Sequence, residues 1–296
     1  MIYENILQTV GCTPLVKINK IVQKKGINVF AKLEGFNPSG SIKDRVALRM
    51  IEQAEVIGEL TKDKIIIEAS SGNTGIGISM VGTVKGYKVL VVMSEAVSIE
   101  RVKMLKSFGA KVLLTEKSKG TDGAINKVNH LVSENPEKYF LPDQFSNKYN
   151  KIAHYKTTAE EIWRDTNGKV THFVSSLGTS GTLMGVGKGL KENNPNIKII
   201  EAHPVKGHYI QGLKNLEEAI VPGLYDPKLI DEKIMVESEE AFKMSREIVK
   251  KEGIFVGMSS GAAMLAAIDV AKRIDSGIIV VIFADRGEKY ISTDLF

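Results

Sequence analysis

The sequence predicts an α/β protein made of two doubly wound parallel-sheet domains, and three observations carry that expectation. Short apolar, β-branched runs alternate with segments of helical periodicity along most of the 296 residues. Strands of unbroken apolar character belong to parallel sheets covered on both faces. The alternation restarts after Pro142. Several strand-to-helix junctions are also short turns rich in Ser, Thr and Gly, the place where open α/β sheets hold ligands.

The elements follow in order. Ile65-Ile66-Ile67 leads into a helix over 74–85, and Val89-Leu90-Val91-Val92 into a helix over 98–108 that Gly109 can close. Val112-Leu113-Leu114 precedes a helix over 122–133. Beyond Pro142 come a helix over 153–166, the strand at Phe173-Val174, a helix over 181–191 and the strand at Ile199-Ile200. Helices over 238–252 and 261–273 and a strand over 278–282 complete the pattern. The restart puts a smaller unit at 1–145 and a larger one at 146–296. One stretch, 203–233, resists this reading: glycines and prolines interrupt it, and it carries Lys206, His208 and Lys214. Such a segment is either a cleft lining or a surface excursion.

Composition narrows the class. The chain is 43% hydrophobic and 25% charged, the balance of a globular protein. No run reaches the ~18 apolar residues of a membrane span. The start, Met1-Ile2-Tyr3-Glu4-Asn5, lacks a secretory pattern, and the single cysteine, Cys12, allows no internal disulfide. A cytoplasmic location is expected. The net charge is +5, but basic and acidic residues are interleaved and aromatics make up only 6%, which argues against single-stranded nucleic acid as a partner.

The residue of greatest interest is Lys43, in Gly40-Ser41-Ile42-Lys43-Asp44-Arg45 at the mouth of a predicted helix. A helix start carries partial positive charge and disfavours an ammonium. A neutral amine attacks aldehydes, so Lys43 is a candidate for a Schiff base with pyridoxal phosphate; alone, it also reads as a solvated lysine. Three turns bear on that choice. Gly178-Thr179-Ser180-Gly181-Thr182 follows a strand and opens a helix, a pattern suited to phosphate and equally to an ordinary capped turn. Ser70-Ser71-Gly72-Asn73-Thr74-Gly75 offers hydroxyls and N–H groups to a carboxylate, and Asn73 to a phenolate-like oxygen. Gly257-Met258-Ser259-Ser260-Gly261 opens a further helix, where a serine cap and a ligand contact can coexist. A dinucleotide fingerprint, a Walker loop and an H-E-x-x-H pair are all missing from the sequence.

Together these segments resemble the cysteine synthase family of fold-type II pyridoxal-phosphate enzymes, and details such as Ala153-His154-Tyr155 and Asp285-Arg286-Gly287 are similar to its synthase B branch. The matches run in family order from residue 11 to the C-terminus and include Asn37 to Arg45, the 70–75 loop, Asp143-Gln144-Phe145, the 178–182 turn, 257–262 and 286–293. The resemblance implies two α/β domains with pyridoxal 5'-phosphate in the cleft between them, and an early segment near 13–34 joining the larger domain. It implies Lys43 as the cofactor-bound lysine and the base for the α-proton, with Asn73 on the ring oxygen. Gly178, Thr179, Ser180, Gly181 and Thr182 would hold the phosphate, and Ser259 would face the pyridine nitrogen. Ser70, Ser71, Asn73, Thr74 and Gln144 would hold the substrate carboxylate.

The implied activity is β-replacement through an aminoacrylate, making L-cysteine from O-acetylserine or O-phosphoserine and sulfide or another thiol, in a homodimer. Ser180 and Ser70 stand where many relatives have glycine and threonine. The stretch from Gly212 to Glu218 lacks the glycine-rich run of synthase A enzymes, and Lys214 there is a candidate for a substrate phosphate. Two alternatives stay open: the same chemistry starting from L-cysteine, releasing hydrogen sulfide and forming lanthionine or serine, and a non-catalytic regulatory binding protein.

Overall fold

The computed structural model describes residues 2–70, 72–95, 97 and 99–296. In chain order the regular elements are β1 (Leu15–Ile18), β2 (Ile27–Leu33), α1 (Lys43–Val56), β3 (Ile65–Ala69), α2 (Asn73–Lys85), β4 (Lys88–Ser94) and α3 (Ile99–Ser107). They continue with β5 (Lys111–Thr115), α4 (Gly120–Glu134), β6 (Tyr139–Phe140), α5 (Lys148–Ala153), α6 (Ala159–Asp165), β7 (His172–Ser176) and α7 (Gly181–Asn193). The last are β8 (Lys198–Pro204), β9 (Glu232–Val236), α8 (Ser238–Glu252), α9 (Met258–Arg273) and β10 (Gly277–Phe283).

Two sheets form, ordered β5-β4-β3-β6 and β1-β2-β10-β7-β8-β9. Every pairing is parallel except β1 with β2. Strict alternation of side chains explains how each sheet is covered twice. In β10, Ile279, Val281 and Phe283 join the core under α8 and α9, while Val280 and Ile282 join the core under α6 and α7. In β4, Val89, Val91 and Met93 pack towards α1, α2 and α3, and Val92 packs towards α4. The apolar runs read in the sequence are therefore central strands buried on both faces.

Four strands were not legible. β2 carries Lys32, which is fully buried because it pairs with Glu161 at 2.8 Å; in sequence such a lysine looks like surface. β1 and β9 are edge strands with half-exposed, charge-interrupted patterns, and β6 has two residues. β1 and β2 lie in the six-stranded sheet. The irregular stretch after β8 holds a single short 3-10 turn before β9.

Between α5 and α6 the helix widens into a π turn at His154–Thr158. This bent helix packs closely on α7 because Gly181, Gly185 and Gly189 repeat every four residues. A Cβ would meet Asn150 Oδ1 at 1.9 Å, Lys151 O at 2.4 Å and the Ala159 Cβ at 2.7 Å, respectively. The carboxyl ends of β3, β7 and β10 open on one cleft, lined by Ala69, Ser70 and Ala284, with Ser175 and Ser176 in its adjoining recess.

Candidate active site

Lys43 is the first residue of α1, held by the turn before it. Gly40 adopts φ +85°, Ile42 N–H donates to Ala284 O at 2.9 Å, and Ser41 bridges to Asp285. Burial lowers the Lys43 ammonium from its ordinary 10.5 to about 8, against the opposing pull of Asp285 and Glu34. The dominant cause is enclosure in low dielectric, where the sequence pointed to the helix end. Lys43 lines both a cleft of about 330 Å³ and an adjoining recess of about 50 Å³.

The recess is built by the turn after β7. Gly178, Thr179, Ser180 and Thr182 line it, and α7 starts there at Gly181 with its first N–H groups unsatisfied by the helix. Gly178 is required for close approach, since a Cβ would lie 2.6 Å from Gly212 O. Ser180 takes φ +66°, the left-handed region, and its buried hydroxyl has no partner. A buried hydroxyl is rarely left unpaired. Among the described residues no carboxylate lines the recess. Glycine-permitted approach, hydroxyl donors, a helix start and the absence of anions make a fit for a phosphate dianion.

Across the cleft stands the loop after β3. Ser70 is buried, and its oxygen accepts the N–H of Gly75 at 2.9 Å, so it caps α2 and keeps its own proton for donation. Thr74 donates to Gln144 Oε1 at 2.5 Å, which presents the donor end of the Gln144 amide on its other side. Asn73 donates to Asp285 Oδ2 at 2.7 Å and accepts from Lys289 Nζ at 2.8 Å. Ser71 lies outside the described residues.

Ser259 sits in the first turn of α9 and lines both cavities, and its carbonyl accepts from Ser176 Oγ at 2.8 Å. Lys214 lines the cleft with its ammonium 4.3 Å from the centre of the Phe145 ring; burial lowers its pKa while Asp122 opposes. The structure thus brings Lys43, Ser70, Asn73, Thr74, Gln144, Gly178, Thr179, Lys214 and Ser259 around one cleft, with Ser180 and Thr182 in its recess. Gly181 lies just behind, against Asn150.

The whole chain reads the same way when compared with known proteins. Residues 6–285 match the family model described as "Pyridoxal-phosphate dependent enzyme". A cysteine synthase of Aquifex aeolicus is 48% identical over 99% of this chain and 92% of its own length. The chain belongs to the cysteine synthase family. Pyridoxal phosphate is the family's cofactor, and the recess beside Lys43 suits its phosphate. The crystal structure of cysteine synthase from Entamoeba histolytica superposes with TM-score 0.95 at 44% identity, covering 100% of this chain and 91% of that one. A hydrogen sulfide-producing enzyme from Fusobacterium nucleatum superposes with TM-score 0.93, also at 44% identity, covering 98% of this chain and 100% of that one.

Sequence reasoning assigned no role to several groups around this cysteine synthase-family site. Asp285 is buried, holds Asn73 and the Tyr290 hydroxyl (both 2.7 Å), and keeps its other oxygen unpaired. Asn150 and His154 back the 178–182 turn, donating to Thr179 Oγ1 at 3.0 Å and lying 3.3 Å from Thr182 Oγ1, respectively. Burial and the nearby Lys43 and Arg45 keep His154 neutral. Asp285, Asn150 and His154 lie 212, 29 and 28 residues from Asn73, Thr179 and Thr182, so no local pattern gives these roles.

Proposed function

We propose that this protein catalyses pyridoxal-phosphate-dependent β-replacement, making L-cysteine from an O-activated serine, O-acetylserine or O-phosphoserine, and sulfide. The observation that carries the reading is the placement of Lys43, its ammonium lowered to about 8, between a hydroxyl-lined anion recess and the 70–74 loop. Pyridoxal phosphate, when bound, supplies the electron sink that lets the α-proton and the β-substituent leave an amino acid.

The chain supplies the rest. Gly178 to Thr182 and the start of α7 would hold the phosphate, and Asn73 would meet the ring oxygen. Lys43 would hold the cofactor through its amine and, as a neutral amine, would take the α-proton. Ser70, Ser71, Asn73, Thr74 and Gln144 receive the substrate carboxylate. Ser259, a neutral hydroxyl, would face the pyridine nitrogen without stabilising a positive charge there, which would favour loss of the β-group over transamination. Closure of one domain over the cleft would exclude water from the β-carbon. The proposal includes a homodimer in the cytoplasm. Among the described residues no helix is long and apolar enough to cross a membrane.

A second reading uses L-cysteine as donor and releases hydrogen sulfide, with lanthionine or serine as product. The likeness to the Fusobacterium nucleatum enzyme favours its inclusion. Product analysis of purified holoenzyme over acetylserine, phosphoserine, serine and cysteine, with and without sulfide, separates the two. Cysteine formation from an activated serine supports the first. Sulfide release from cysteine alone, with no synthesis from either activated serine, replaces it by the second.

A further inference from the structure

Asn150, on α5, is fully buried and lies between the two halves of the site. Its amide nitrogen donates to Gln144 O at 2.7 Å and to Thr179 Oγ1 at 3.0 Å. Two acceptors use both hydrogens of one NH₂ group. The Gln144 carbonyl sets the amide orientation, because the reverse would place two carbonyl oxygens together. Asn150 Oδ1 has no partner and lies where Gly181 lacks a Cβ.

This arrangement has a directional consequence. A threonine hydroxyl has one proton, and an oxygen that accepts from Asn150 aims that proton elsewhere. Thr179 lines the recess beside Lys43, so the recess receives a donor. At the same time the Gln144 carbonyl is tethered next to Asp143, whose φ of +49° is unusual for a non-glycine residue. Gln144 then meets Thr74 across the cleft.

We propose that Asn150 is a positioning residue that couples the two anion sites, turning the Thr179 hydroxyl into a phosphate donor while fixing the Gln144 segment for the substrate carboxylate. The inference rests on the reading of 178–182 as the phosphate site. No local motif marks Asn150, and its place depends on the glycine stripe of α7 that lets the bent helix approach.

The test compares the affinities of apoprotein for pyridoxal phosphate and for pyridoxal, which lacks the phosphate, by absorbance titration. The unsubstituted protein should prefer the phosphate form strongly, and Asn150→Ala should lower that preference about tenfold. Asn150→Asp, which accepts rather than donates, should lower it at least as much. Thr179→Val should match Asn150→Ala, Thr179→Ser should restore the preference, and the Asn150→Ala/Thr179→Val double variant should lose no more than either single one. Asn150→Ala should also weaken L-alanine binding to holoenzyme severalfold, whereas Thr179→Val should not.

A wild-type preference that persists within twofold in Asn150→Ala, or additive losses in the double variant, overturns the coupling and leaves the phosphate site standing. Undiminished preference in Thr179→Val overturns it even where Asn150 variants fail to fold. No preference in the unsubstituted protein overturns the phosphate-site reading itself.

Discussion

Arg45 grips Glu161 with both ends of its guanidinium, Nη1 to Oε1 at 2.6 Å and Nη2 to Oε2 at 2.7 Å, two residues along α1 from Lys43. The same Glu161 pairs with Lys32 of β2, and Arg45 also holds Glu34 at 2.7 Å. This buried network ties the helix that carries the lysine to the six-stranded sheet and to α6. Buried pairs stabilise only when every partner is present.

A dependence on acid follows. Burial pushes the Glu161 carboxyl up, but Arg45 and Lys32 overcome it and hold it at about 2, against an ordinary 4.5. A carboxyl lowered in the folded state stabilises above its unfolded value and loses that contribution as pH falls through the folded one. Glu161→Gln should therefore cost about 3 kcal/mol at pH 7. The difference from wild type in urea unfolding should shrink between about pH 4.5 and 2. A difference independent of pH would remove the ionic explanation.

Lys43 should show its lowered pKa in reactivity. Capture of pyridoxal phosphate by apoprotein, trapped with borohydride, should rise about tenfold per pH unit below 8 and level above it, because only the neutral amine attacks. Peptide mapping should find the label at position 43 and none in Lys43→Ala. A rise continuing to the ordinary lysine range near 10.5 would show that burial does not tune this amine.

Ser180 separates strain from function. Its left-handed backbone costs about 1 kcal/mol in a non-glycine residue, so Ser180→Gly should raise stability by about that amount. Both Ser180→Gly and Ser180→Ala remove the unpaired hydroxyl and should weaken pyridoxal phosphate binding about tenfold, the scale of one hydrogen bond to a charged oxygen. Unchanged cofactor affinity in Ser180→Ala would exclude that hydroxyl from phosphate binding.

Lys214 tests substrate choice. Lys214→Ala should raise the KM for O-phosphoserine about tenfold and leave that for O-acetylserine within twofold, since an ammonium is worth most against a phosphate. Equal effects on the two donors would reassign Lys214 to packing on Phe145.

The sequence by itself determined the α/β class and the central strands, and it marked Lys43 with its serine- and glycine-rich turns as the candidate site. Those features are local: apolar runs long enough to mark strands buried on both faces, and short turns whose chemistry can be read residue by residue. The tertiary structure decided what depends on distant pairing. It put β2 inside the larger sheet with Lys32 buried against Glu161, a pairing no local pattern reveals. It lowered Lys43 chiefly by enclosure, a property of the walls around it, and it set Asn150 and Asp285 behind the recess and the loop. Partners separated by tens to hundreds of residues meet only once the core has packed, so their roles become visible only in the folded chain.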